Sequence, residues 1–205
     1  MGLAASQLKF EIREVVLRDK PAAMLEASAK ATVPVLLAGD IVIDESLDIL
    51  IWALKRNDPL GWLGFSDSQL DQMHSLVNLC DKEFKPHLDH YKYADRYPDS
   101  PESHYRNLAL TFLNTLEAKL ISHEHLFAER LSYADIAIFP FIRQFANVDA
   151  DWFATQPYPN LQRWLASLLD SYLFEKIMTK HPQWHVDDKP LYFETVDLSS
   201  LNRSP

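Results

Sequence analysis

Glycine is scarce, at four residues in 205, about 2% against a usual share of roughly 7%. So few glycines leave no G-x-G-x-x-G and no G-x-x-x-x-G-K-[ST] loop, which excludes dinucleotide and P-loop phosphate sites. Cysteine is scarcer still. The single Cys80 excludes an intrachain disulfide and any multi-cysteine zinc site, and fits a reducing compartment. No apolar run approaches the roughly 18 residues of a membrane span, the longest being stretches such as residues 136–142. The N-terminus has neither the basic region nor the long apolar core of a signal peptide, and Ser6 gives only a loose myristoylation pattern. Positive charge is also in deficit. Lys and Arg number 20 against 29 Asp and Glu, and the net charge of −9 argues against nucleic acid or membrane as partner. A soluble cytoplasmic protein is expected, in which the sequon Asn202-Arg203-Ser204 carries no meaning.

What is present is an ordinary globular composition, 47% hydrophobic and 24% charged. Residues 10–17 begin with apolar/polar alternation and read as a strand. Residues 21–29 are rich in alanine behind Pro21 and read as a short helix. Residues 35–38 and 41–43 flank a Gly39-Asp40 turn and read as a hairpin. Asp44 is placed to cap a helix running to Leu54, with Glu45 in its first turn. Residues 55–65 have linker composition, holding two of the four glycines. Beyond them the pattern is helical. Leu70, Met73, Val77, Cys80, Phe84, His87 and Tyr91 fall on one face of a long helix that Tyr97-Pro98 and Ser100-Pro101 end. Tyr105, Leu108, Phe112, Leu116 and Leu120 outline a second helix, and Leu161, Trp164, Leu165 and Leu168 a later one.

Between these helices Ser132 and Asp135 are spaced as a capping box, and Leu131 with Ile136 as a hydrophobic staple. The helix they begin is apolar on nearly all sides and must be central; Pro140 should kink it. The expected fold is α/β plus all-α. Residues 1–54 form the small α/β domain, 55–65 the linker, 66–185 the helical domain and 186–205 a tail.

Eight histidines invite a metal site, but H-E-x-x-H does not occur and no cluster offers three ligands at zinc spacing, so no metal is expected. A G-x-S-x-G nucleophile elbow is also lacking.

Residues 14–21, 31–36 and 44–49, in that order and spacing, resemble the N-terminal thioredoxin-like domain of cytosolic glutathione transferases. Ser132-Tyr133-Ala134-Asp135, Asn160-Leu161-Gln162-Arg163-Trp164-Leu165 and His181-Pro182-Gln183-Trp184 resemble pieces of bacterial-type members of that family. The resemblance runs from about residue 8 to about residue 185. It implies a glutathione site. Val33 before Pro34, a candidate cis peptide, would pair through its main chain with the cysteinyl part of the tripeptide. The alternative is a trans proline entering the next strand. Ser46, at a helix N-terminus, would hold the γ-glutamyl carboxylate, with Glu45 near the ammonium. Lys30 would reach the glycyl carboxylate or else remain a solvated surface lysine. Tyr91, Tyr93 and Tyr97 would line an apolar second-substrate pocket or remain helix-end aromatics.

The first strand of the resembled domain, and the turn that carries its catalytic Tyr, Ser or Cys, have no counterpart here. Ser6 lies past the middle of the first helix, away from its positive end. Cys80 sits on an apolar stripe, as a buried structural thiol does. The missing strand would lie between residues 10–16 and 35–38 and leave both with unpaired edges. The chain is therefore expected to be a shortened version, with Met1 internal to a longer product, or a remnant carried by its helical domain. Its expected function is glutathione-dependent conjugation or thiol transfer to a small electrophile, impaired because the catalytic group is absent. Glutathione would serve as co-substrate and the assembly would be a homodimer. The alternative is a non-catalytic scaffold or regulator.

Overall fold

The computed structural model describes residues 1–97 and 101–198. The helix-ending Pro98 and Ser100, the sequon and the end of the tail lie outside the described residues. The chain divides into two compact units, residues 1–60 with 171 onward, and residues 61–170.

The first unit opens with α1 (Gly2–Ala5), which packs on α3 (Ser46–Arg56). A Cβ at Gly2 would meet Leu50 Cδ1 at 2.5 Å, so this approach requires glycine. Strand β1 (Glu11–Ile12) and helix α2 (Ala22–Ala27), whose N-cap is Pro21, follow. Strands β2 (Leu36–Ala38) and β3 (Ile41–Ile43) form the expected hairpin, in register Leu36↔Ile43. Its turn relies on Gly39, whose φ is +63°. Helix α3 starts one residue later than expected. Glu45 is its N-cap and gives no side-chain cap, because Asp44 turns away to accept from Ser28 and Lys30.

The strand over residues 10–17 is realised only at Glu11 and Ile12, with isolated bridges at Glu14 and Val16. Its partner explains the brevity. Strand β4 (Leu191–Tyr192) comes from the C-terminal segment and pairs antiparallel, Glu11↔Tyr192 and Ile12↔Leu191. Phe193 N–H then donates to the Phe10 carbonyl at 3.0 Å. The Phe10 and Phe193 rings stack with centroids 5.0 Å apart. Residues 186–198 therefore pack onto the first unit, with Val196 buried, instead of forming a separate tail. Helix α10 (Tyr172–Ile177) belongs to the same unit and packs on α1. The expected boundary at 185 thus moves back to 170.

The second unit begins with α4 (Asp67–Leu79), opened by a capping box of Ser66 and Gln69. The long helix continues through a π-turn (Cys80–Phe84) into α5 (Lys85–Lys92). Pro86 has no N–H to close an α-type bond, and the wider turn accommodates it. The π-turn rotates the buried stripe, so that Leu88 and not His87 follows Phe84 into the core. Helices α6 (Glu102–Leu120), α7 (Tyr133–Ala146), α8 (Ala150–Ala154) and α9 (Pro159–Leu169) complete the unit. Ala109, Phe112, Leu113, Leu116 and Leu120 form the buried face of α6, while Leu108 is exposed. Leu161, Trp164, Leu165 and Leu168 are buried on α9 as their spacing predicts.

Helix α7 is central, with Ile138 and Ile142 fully buried, each stabilising by roughly 1.5–3 kcal/mol. Its N-terminus carries the expected capping box: Asp135 accepts from Ser132 N–H at 2.9 Å, and Ser132 Oγ accepts from Asp135 N–H at 3.4 Å. The carboxylate of Asp135 does more than cap. It also accepts from Leu126 N–H and from Trp164 Nε1, both at 2.9 Å. At α9, Glu117 takes the Leu161 N–H at 2.8 Å, joining that helix to α6.

Candidate functional site

The loop between α2 and β2 carries Ser28, Lys30 and Val33. It is tied to the start of α3 by three side-chain bonds. Ser28 Oγ donates to Asp44 at 3.0 Å, and Lys30 Nζ donates to Asp44 at 3.1 Å and to Glu45 at 2.6 Å. These bonds raise the Lys30 pKa, Glu45 contributing most, and lower that of Asp44, Lys30 contributing most. The pairs are solvent-exposed and screened, so they orient the loop more than they stabilise the fold.

Within the loop Ala31 has φ +51°, a left-handed conformation that reverses the chain after Lys30. The Val33–Pro34 bond is cis. Val33 is 46% exposed, and its main-chain N–H and C=O enter no ladder among the described residues. Ser46, the first residue of α3, is exposed at the helix N-terminus, where unpaired N–H groups attract a carboxylate. The structure thus brings together Lys30, Glu45 and Ser46. It places Lys30 against Glu45, whereas the expected site assigns these two residues to opposite ends of the tripeptide. Ser28 and Asp44 belong to the same cluster and were not anticipated. They are 16 residues apart, and only the adjacency of Asp44 and Glu45 hinted at a shared cation.

The hydroxyls and thiol considered as catalysts are withdrawn from solvent. Ser6 caps the C-terminus of α1, fully buried, with Oγ donating to the Leu3 carbonyl at 2.8 Å. Cys80 is buried in the π-turn, and desolvation pushes its thiol up to about 12. Tyr91 lies in the core of the second unit against Phe145, with ring centroids 5.1 Å apart, while Tyr93 is exposed. Among the described residues no group of three His, Cys, Asp or Glu is placed to hold a metal ion. No described helix is long and apolar enough to cross a membrane.

Two family models match the chain. The glutathione S-transferase N-terminal domain covers residues 1–60 and the C-terminal domain residues 101–167, together more than half of the sequence. The chain belongs to the glutathione S-transferase family. Solved structures agree on the fold. A bacterial glutathione S-transferase, BphK, in a ternary complex, has a TM-score of 0.70 at 21% identity, covering 85% of this chain and 88% of that one. A class Gtt2 glutathione S-transferase of Vibrio parahaemolyticus has a TM-score of 0.62 at 18% identity, covering 85% and 90%. Glutathione S-transferase-I bound with lactoylglutathione has a TM-score of 0.66 at 17% identity, covering 86% and 91%. No curated protein sequence matches. In glutathione S-transferase terms, α1 to α3 with β1 to β3 form the thioredoxin-like domain and α4 to α9 the helical one.

Proposed function

We propose that the protein binds glutathione at the cluster of Val33, Pro34, Glu45, Ser46 and Lys30. The observation that carries this reading is the tether from Lys30 to Asp44 and Glu45, which fixes the Val33 loop beside the N-terminus of α3. Ser46 and the first N–H groups of α3 receive the γ-glutamyl carboxylate. The γ-glutamyl ammonium takes the position at Glu45 that the Lys30 ammonium now fills. Lys30, displaced, is then available to the glycyl carboxylate. Val33 pairs through its main chain with the cysteinyl unit, as one strand with another.

The reaction of this family type is transfer of the glutathione sulfur to a small electrophile, or thiol exchange. The protein acts in this reading as a cytoplasmic homodimer. Turnover by this chain is low, because Ser6 is sealed in α1 and the Cys80 thiol is protonated at neutral pH. That same pair of observations favours a second reading, a glutathione-binding protein without transferase activity. Retention on immobilised glutathione separates site from scaffold. Ser46→Ala should weaken binding about tenfold, the loss of one bond to a charged group. Undiminished retention of Ser46→Ala excludes this site. Conjugation of 1-chloro-2,4-dinitrobenzene, measured beside binding, then separates the transferase from the binding protein.

A further inference from the structure

Strands β1 and β2 belong to two separate ladders, β1 with β4 and β2 with β3. Between them lies a cavity of about 450 Å³. Residues 10, 11 and 13 line it on one side and residues 35–38 on the other. Helices supply the remaining walls: Leu3 and Trp52 from α1 and α3, Met24 and Ala27 from α2.

The two strand walls present main chain. The Phe10 and Glu14 carbonyls accept from Phe193 and Trp184 N–H, at 3.0 and 2.9 Å, on the edge of β1 that faces the C-terminal segment. Strand alternation turns the main-chain groups of Glu11 and Arg13 to the opposite edge. Strand β2 likewise has a second edge beyond its pairing with β3. The charged lining is internally neutralised. Arg13 donates to both carboxylate oxygens of Glu11, at 2.9 and 3.3 Å, and the Lys9 ammonium sits 4.4 Å from the centre of the Tyr192 ring. One wall donor is orphaned: Trp52 Nε1 is shut off from solvent without an acceptor.

An occupant must therefore offer alternating donors and acceptors along both of its edges, apolar side chains, and no net charge. It must run about four residues, or roughly 13 Å. A peptide strand meets all of these requirements. The sheet already draws in a remote strand, since β4 comes from some 180 residues downstream of β1.

We propose that this cavity is a strand-acceptor slot, which binds an extended, uncharged, apolar segment of another polypeptide and joins the two ladders into one five-stranded sheet.

The test uses a fluorescein-labelled peptide, acetyl-Lys-Lys-Val-Ile-Val-Leu-Val-Lys-Lys-amide, and a twin N-methylated at its three central residues. Fluorescence anisotropy should show saturable binding of the first, and binding of the twin weaker by about tenfold or more. Bound peptide should slow amide exchange at Glu11, Arg13 and Leu36. Ala27→Phe, which fills the slot, should abolish binding while leaving the thermal melt unchanged. Should that variant fail to fold, the comparison of the two peptides decides alone. Equal affinity for both peptides would mean an apolar pocket without strand pairing, and overturns the proposal. So does absence of binding. Self-association that Ala27→Phe abolishes, with no binding of the peptide, would assign the slot to a second copy of the chain and equally overturns it.

Discussion

The indole N–H of Trp164 donates to Asp135 Oδ1 at 2.9 Å, joining the start of α7 to the middle of α9 inside the helical unit. Removing the Asp135 carboxylate strands this donor, the Ser132 N–H and the Leu126 N–H in the interior together. Asp135→Ala should destabilise by about 3 kcal/mol or more, and Trp164→Phe by about 1–2 kcal/mol. Urea unfolding followed by circular dichroism measures both. The double variant should cost less than the sum, since both single changes break one shared bond.

Phe193→Ala removes the ring stacked on Phe10 and should cost about 1–2 kcal/mol. The loss should be local. Hydrogen exchange at Ile12 and Leu191 should quicken, while amides of α7 keep their protection.

Cys80, with its thiol near 12, should resist Ellman's reagent in the folded protein at pH 8 and react within seconds in denaturant. Rapid labelling of the native protein would contradict its burial.

Burial lowers the pKa of His125, overcoming the nearby Asp135, Glu124 and Glu129, which raise it. The folded state therefore holds fewer protons at this ring than the unfolded state around and below pH 6.5. Stability is fully present above that range and declines as the pH falls through it. His125→Asn should flatten this acid limb in urea midpoints taken between pH 7.5 and 5. His87, mostly exposed and lowered in the same direction, should contribute less.

Lys30→Met tests the exchange of partners at Glu45. The parent protein should prefer glutathione to γ-glutamylcysteine, which lacks the glycyl carboxylate. The variant should bind the two equally in a calorimetric titration. A preference that survives the substitution removes Lys30 from the site.

The sequence revealed most where the determinants are local. Ser132 and Asp135 are three residues apart and cap one helix, so their pattern is legible without any fold. The hairpin across Gly39-Asp40 is legible for the same reason. The stripe from Met73 through Phe84 held until Pro86, where a wider turn shifted the register by one residue and exchanged His87 for Leu88. What stayed hidden depends on distance along the chain. The Ser28–Asp44 bond and the reach of Trp164 to Asp135 have no periodic signature, because each joins two elements whose approach only the fold decides. Of the candidate site, Val33, Glu45 and Ser46 were reached through resemblance. The pairing of Lys30 with Glu45 depends on the left-handed turn at Ala31, a conformation that alanine does not advertise.

The origin of β4 sets an order of events during synthesis. Residues 61–170 are contiguous, so the helical unit has all of its parts once residue 170 has left the ribosome. The first unit, although it emerges earlier, lacks the partner of β1 until Leu191 and Tyr192 are made. At roughly 5–20 residues per second this wait lasts on the order of ten seconds, with the edge of β1 open throughout. The domain that leads in the sequence is the last to close.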